Sequence, residues 1–269
     1  MSERKACLLV GQSRGTYRYQ PEASTVNEAI RRRMRDLAVE RLRFGSPRLT
    51  VLLRKEFGAV NHKRIERLYA LEQLQLPRRK KARRRGMGRQ GLLLKPTRPN
   101  EHWSMDFVSD ALSDGRRFRA LTMMDNFTRE SVAIEVDSSL SGERVTRVLD
   151  WLKMTHGLPE TIIVDNGPEF TSRAMLAWSV DNQVNLQFID PGKPVQNAYI
   201  ESFNGRLRDE CLNQHWFKNL REAKTIIEAW RVDYNRERPH SSLKNLAPED
   251  FKQAWENENN NPKLSLELV

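Results

Sequence analysis

The hydrophobic pattern of the chain changes period near residue 100. Before that point apolar residues recur three and four positions apart. Ile30, Met34, Leu37 and Ala38 form one such stripe among Arg31, Arg32, Arg33, Arg35, Arg41 and Arg43. That spacing predicts an amphipathic helix with a basic outer face, ended by Phe44-Gly45-Ser46-Pro47. A second helical segment covers Arg48 to Phe57. Gly58 follows, and then a third segment from Asn61 to Tyr69, with Asn61 as its N-cap. Helix, short glycine-bearing turn, and helix with Lys63, Arg64 and Arg67 outward suggest a helix-turn-helix, a pattern shared with plain helical hairpins. Residues 6–19 read as the tail of another such unit.

Beyond residue 100 the pattern alternates strand and helix. Trp103–Val108, Phe118–Met124 and Ser131–Val136 read as strands, with an Asp114-Gly115 turn between the first two. Residues 140–156 predict a helix with Val145, Val148, Leu149 and Leu152 inward, stopped by Gly157-Leu158-Pro159. Thr161-Ile162-Ile163-Val164 is short and apolar, as expected of a buried parallel strand. A helix from Ser172 to Asn182, a strand from Leu186 to Ile189, and helices Asn197–Leu212 and Glu222–Asn235 complete the pattern. The expected fold is α/β: a mixed five-stranded sheet flanked by helices, preceded by an all-α region.

Charge sharpens this division. The chain has 269 residues, a net charge of +11 and a pI near 9.9. Residues 1–98 hold 26 Lys and Arg against 8 Asp and Glu, whereas residues 99–269 hold 20 against 27. A polycationic half points to a polyphosphate partner, because Lys and Arg gain affinity by displacing condensed counterions. A basic soluble protein or a ribosome-associated one is the alternative on charge alone. The run from Pro77 to Arg98 holds Arg78, Arg79, Lys80, Lys81, Arg83, Arg84, Arg85 and Arg89 with no acid, and self-repulsion is expected to keep it extended until it meets phosphate, a solvated linker with no specific role being the alternative. No apolar run approaches a membrane span, and the short apolar stretch near the N-terminus does not make a signal peptide. Cys7 and Cys211 are too far apart in sequence to form a CxxC zinc pair or a disulfide framework. The expected location is the cytoplasm.

Three carboxylates carry the candidate chemistry. Asp106 lies inside an apolar strand, Asp165 ends the strand Ile162-Ile163-Val164, and Glu201 lies in the first turns of the helix beginning near Asn197. A carboxylate in a core strand is costly unless it is paired or binds metal. Hard oxygen donors without a Cys pair or HxxxH favour Mg²⁺ or Mn²⁺ over Zn²⁺. Taken singly, Asp165 also fits an Asx turn, Asp106 a strand end and Glu201 a helix surface. On the last helix Asn197, Glu201, Asn204 and Arg208 share one face beside the apolar stripe Ile200, Phe203, Leu207 and Cys211. That face suits the wall of a site in which the carboxylate holds metal and the guanidinium meets phosphate, the rival reading being a solvated polar face with an ordinary ion pair.

These residues carry a resemblance. Asp106, then Asp165 in Val164-Asp165-Asn166-Gly167-Pro168-Glu169-Phe170, then Glu201 after 35 intervening residues, is similar to the DD(35)E signature of retroviral-integrase-like transposases. Arg208, seven residues after Glu201, matches the basic residue that follows the Glu in that group. Asn197-Ala198-Tyr199-Ile200-Glu201-Ser202-Phe203-Asn204-Gly205 and Tyr234-Asn235-Arg236-Glu237-Arg238-Pro239-His240-Ser241-Ser242-Leu243 closely resemble the OrfB-type transposases of the bacterial insertion-sequence-three family. Phe44 to Leu76 resembles the helix-turn-helix segment that precedes their core.

The resemblance implies an RNase H-like core and a DDE transposase that cleaves DNA strands and transfers them. An RNase H-like nuclease without strand transfer and a catalytically silent DNA-binding regulator are the alternatives. Asp106, Asp165 and Glu201 would bind two Mg²⁺ or Mn²⁺ ions. Asn166, Glu169, Asn197 and Arg208 would support those ligands or position DNA. Tyr199 is open to two roles, at a DNA end or in the core. Arg236, Arg238 and His240 either touch the phosphate backbone or staple the last helix. Asp125 reads as structural. The implied domains are a DNA-binding helical region at 1–76, a basic linker at 77–99, an integrase catalytic domain at 100–254 and a polar tail at 255–269. The implied partners are DNA at the element ends and target, further copies of the chain assembled on that DNA, and an upstream-frame protein or fusion, in a nucleoid-associated bacterial setting. The scattered His62, His102, His156, His215 and His240 cannot build the zinc module of retroviral integrases, and sustained heptads are lacking.

Overall fold

A computed structural model describes residues 2–19, 25–77, 95–190 and 194–260. The chain divides into two compact units, one ending at Leu76 and the other beginning at Pro77. Arg78, Arg79, Lys80, Lys81, Arg83, Arg84, Arg85 and Arg89 lie outside the described residues.

The first unit is helical. Two short helices, α1 (Glu3–Leu9) and α2 (Arg14–Arg18), are joined by ion pairs from Arg14 and Arg18 to Glu3. Helices α3 (Thr25–Glu40), α4 (Ser46–Phe57) and α5 (His62–Leu71) enclose Ile30, Met34, Leu37, Leu49, Leu53, Ile65 and Leu68. The stripe expected on α3 is thus its buried face. Gly58, at φ 73°, closes α4 in a conformation that disfavours a side chain. Asn61 caps α5, its side-chain oxygen accepting the N–H of Lys63 at 2.9 Å. The basic outer face of α3 is largely spoken for. Arg31 and Arg35 converge on Glu72, and Arg33 bonds Glu56 at 2.9 Å.

The second unit is built on one sheet. Its strands are β1 (His102–Ala111), β2 (Arg117–Asp125), β3 (Ser131–Asp137), β4 (Thr161–Val164) and β5 (Asn185–Phe188), in the order β3-β2-β1-β4-β5. The first three pair antiparallel, while β4 and β5 run parallel to β1. Side chains alternate across this sheet. Trp103, Met105, Leu121 and Met123 meet Val145, Leu149 and Leu152 of α6 (Gly142–Thr155) and Met175 and Trp178 of α7 (Arg173–Asp181). On the opposite face Val108, Phe118 and Ala120 meet Leu207 of α8 (Ala198–Glu210) and Ile227 of α9 (Leu220–Arg236). The last strand begins one residue earlier than its apolar pattern suggested.

The C-terminal residues depart from expectation. Helix α10 (Pro248–Asn260) runs past residue 254 into the segment expected to be a polar tail. Phe251 and Trp255, four residues apart, both seat against the ring of Phe127, and Lys252 bonds Glu130 at 2.9 Å. Those two aromatic residues supply the anchoring face that the polar composition concealed. No described helix is long and apolar enough to cross a membrane.

Candidate active site

The three candidate acids lie on β1, just after its sheet neighbour β4, and on α8, which packs against β1 and β2. Asp106 is half-buried in β1 directly opposite Thr122 of β2. Its Oδ1 accepts the Phe107 N–H at 2.7 Å and its Oδ2 accepts the Asn204 side-chain amide at 2.8 Å. Asp165 follows the last residue of β4, because a parallel strand buried on both faces must end before a charge emerges. Its Oδ1 accepts the Gly167 N–H at 2.9 Å, the Asx turn that the sequence allowed for this residue. A side chain on Gly167 would meet Asp165 Oδ1 at 2.9 Å and Glu169 Oε2 at 3.3 Å, so a larger residue here would push on both carboxylates.

Helix α8 lies along β1 and is tied to it at three points. Asn197 reaches the carbonyl of Met105 at 3.5 Å, Asn204 reaches Asp106, and Arg208 reaches the carbonyl of Ser109 at 3.3 Å. These are three of the four residues expected on one helix face. The fourth, Glu201, is exposed and makes no hydrogen bond or ion pair among the described residues.

Electrostatics links the three carboxylates. Burial pushes the Asp106 carboxyl above its usual range, and the negative charges of Asp165 and Glu201 push it further, against hydrogen bonds from Phe107 and Asn204. Asp106 therefore stands within the field of both other acids. Among the described residues no group of three or more His, Cys, Asp or Glu is drawn close enough to grip a metal ion as it stands. The donor set nonetheless fits a hard divalent cation. It consists of carboxylate oxygens from β1, from the residue that follows β4 and from α8, which are hard donors of the kind such a cation takes.

The supporting residues are distributed differently from expectation. Asn166 donates to the carbonyl of Ile189 at 3.0 Å and so ties the turn after β4 to the end of β5. Glu169 pairs with Arg119 of β2, whose guanidinium lies 4.1 Å over the Phe107 ring. Burial opposes the Glu169 charge, but the hydrogen bond from Arg119, that from its own backbone N–H and the Arg119 charge together hold the carboxyl below its usual range. Asn197 is 4% exposed, and its Oδ1 has no hydrogen-bond partner among the described residues. Asp125 is structural: 2% exposed, it accepts backbone N–H groups of Asn100, Phe127 and Thr128 at 2.7–2.8 Å. Tyr199 is covered by Arg129, 3.8 Å over its ring.

Several basic residues act as staples. Arg238 is buried and grips Glu210 at the end of α8 with bonds of 2.6 and 2.9 Å, Arg236 pairs with Glu249, and His240 abuts the Tyr234 ring. In the first unit Lys63 and Arg67 are exposed as expected, but Arg64 is not. It is half-buried, with its Nε donating to Asn27 at 2.8 Å, because the turn of α5 that packs Ile65 inward also brings Arg64 against α3. Sequence reasoning gave no role to Arg119 or Thr122. A lone hydroxyl in the apolar run of β2 was the only signal for Thr122.

Comparisons with known proteins follow this architecture. The integrase core domain family matches residues 96–194 and 182–248, and an HTH-like domain matches residues 25–82. A 31.7 kDa protein of insertion element IS407 from Burkholderia multivorans is 51% identical over 93% of this chain and 90% of its own length. The chain belongs to the DDE transposases of the insertion-sequence-three family. A 39.2 kDa protein of insertion element IS476 from Xanthomonas euvesicatoria is 49% identical over 93% of this transposase and 72% of its own length. The fold is also similar to that of a chain in the structure of a simian T-cell lymphotropic virus intasome in complex with the PP2A regulatory subunit B56 gamma, at 16% identity and a TM-score of 0.51 over 81% of this chain and 74% of that one. DDE transposases are polynucleotidyl transferases, and this chain is an enzyme of that class.

Proposed function

We propose that Asp106, Asp165 and Glu201 together hold divalent metal, and that the transposase cleaves DNA strands and transfers them at this one site. The observation that carries the reading is the unequal treatment of the α8 face. Asn197, Asn204 and Arg208 are each bonded to β1, whereas Glu201, between them, keeps its carboxylate unengaged beside an Asp106 that already feels its charge.

When bound, a pair of Mg²⁺ or Mn²⁺ ions supplies Lewis acidity for the attacking hydroxyl and the departing 3′-oxygen. The chain supplies placement. The Asx turn at Asp165 aims one carboxylate, and the bonds to Asp106 aim another. Arg208, fixed to the Ser109 carbonyl through one nitrogen, keeps its remaining donors for a DNA phosphate. Glu169 and Asn166 hold the turn that carries Asp165, and Asn197 fixes the start of α8 on β1. A freed 3′-hydroxyl occupying the place of the first nucleophile turns cleavage into joining without a covalent protein–DNA intermediate.

DNA at the element ends and target is the partner. Lys63 and Arg67 on α5 and the run Arg78, Arg79, Lys80, Lys81, Arg83, Arg84 and Arg85 contact phosphates, with several copies of the chain assembled on the DNA. An upstream-frame protein or fusion completes recognition of the ends, and the protein works on the bacterial nucleoid.

The test supplies a donor end with a 3′-hydroxyl, target DNA and Mg²⁺. Asp106→Asn, Asp165→Asn and Glu201→Gln are each expected to abolish joined product while sparing salt-sensitive DNA binding. Normal cutting by any of the three overturns the triad. Cleavage without joining by the parent chain overturns strand transfer.

A further inference from the structure

We propose that Thr122 and Asn204 are positioning residues that hold the Asp106 carboxylate in one orientation and leave a fixed set of its lone pairs for a divalent cation. The inference rests on the triad reading above and concerns how one member of the triad is aimed.

Three contacts close a small ring between β2, α8 and β1. The Thr122 hydroxyl lies 2.8 Å from Asn204 Oδ1 and 3.0 Å from the Asp106 carbonyl oxygen. Asn204 Nδ2 lies 2.8 Å from Asp106 Oδ2. A primary amide has two ends that differ in sign, and its orientation follows from its partners. The hydroxyl can donate to Asn204 Oδ1, which leaves the amide nitrogen to face the carboxylate. With the amide turned over, two oxygens would oppose each other.

Thr122 is suited to this task by its place. It is fully buried, so water does not compete for its hydroxyl, and its branched side chain has a restricted χ1. It is also the direct cross-strand partner of Asp106. Strand pairing therefore fixes the distance between the hydroxyl and the backbone of the residue it serves.

The consequence falls on the carboxylate. Each carboxylate oxygen offers two acceptor sites. Oδ1 gives one to the Phe107 N–H and Oδ2 gives one to Asn204, so the group is restrained at both oxygens and keeps one site on each. A carboxylate restrained in this way does not have to lose its rotation when a cation arrives. Such hydrogen bonds to metal-binding groups typically shift metal affinity by about 10–100-fold.

The experiment measures Mn²⁺ binding to the full chain by electron paramagnetic resonance of the free ion, without DNA. Asn204→Ala is expected to weaken Mn²⁺ binding by about 10–100-fold. Thr122→Val is expected to weaken it in the same direction, Thr122→Ser to bind as the parent does, and the Thr122→Val/Asn204→Ala double variant to be no weaker than Asn204→Ala alone. A packing role predicts the reverse order at position 122, since valine keeps the volume that serine loses. Parent-like affinity in Asn204→Ala, or Thr122→Ser weaker than Thr122→Val, overturns the proposal. Asp106→Asn separates the two levels of inference. If it abolishes Mn²⁺ binding while Asn204→Ala does not weaken it, only the positioning role fails. If Asp106→Asn binds Mn²⁺ normally, the triad fails as well.

Discussion

Gly142 and Ser172 stand so close that a methyl group on the first would meet the hydroxyl oxygen of the second at 2.0 Å. Gly142 opens α6 and Ser172 caps α7, its oxygen accepting the Met175 N–H at 3.2 Å. The carbonyl of Glu169 would lie 2.9 Å from the same methyl. The start of one helix is thus pressed against the segment that leads back to Asp165. Gly142→Ala should destabilise the second unit by about 1–3 kcal/mol through overpacking. All six Trp lie at residue 103 or beyond, so a urea titration followed by Trp fluorescence reads this unit alone. Ser172→Gly in the same background should recover part of the loss, because it removes the nearer atoms.

Arg238 and Glu210 form a buried pair with side chains 3% and 11% exposed. Removing one partner leaves a desolvated charge, so Glu210→Ala or Arg238→Ala should cost about 3–5 kcal/mol. Replacing both with apolar residues of similar volume should cost less than either alone. The same fluorescence titration measures this, and equal losses in the single and double variants would argue against a stapling role.

Glu72 predicts a pH dependence for the first unit. The hydrogen bond from Arg31, with the charges of Arg31 and Arg35, holds its carboxyl below the usual range. A depressed carboxyl stabilises the fold above its unfolded pKa of about 4.3 and loses that contribution as pH falls through the folded value. Far-UV circular dichroism should show acid loss of helix that Trp fluorescence does not report. Glu72→Gln should remove the stabilisation at neutral pH and flatten the acid dependence. An unchanged acid transition in that variant would count against the clamp.

Arg64 and Arg67 should behave differently despite their proximity. Lys63→Ala and Arg67→Ala should each weaken DNA binding and lower the slope of log affinity against log salt by about 0.9 for each lost phosphate contact. Arg64→Ala should leave that slope unchanged and destabilise α5 against α3 by about 1 kcal/mol, through its bond to Asn27. A reduced salt slope in Arg64→Ala would place that side chain on DNA instead.

Much of this protein was legible in one dimension. Asn61 as a cap, Thr161–Val164 as a strand and the stripe Ile30, Met34 and Leu37 as a buried face depend on neighbours a few residues away, whose physics is present in the order of residues. The spacing of Asp165 and Glu201, and the shared face of Asn197, Asn204 and Arg208, could likewise be counted along the chain. Other features could not be counted. Thr122 acquires meaning only when β2 registers with β1, and Asn204 only when α8 settles on a strand residue 98 positions earlier. Arg64 turned inward while Arg67 stayed outward, and the basic face of α3 was taken up by Glu72 and Glu56. The sequence by itself determined the elements, the charge division and the acids, since periodicity and capping act locally. Tertiary structure alone decided which polar groups are partners, because a hydrogen bond or ion pair depends on ångström distances between remote segments, and these exist only after packing has set the register.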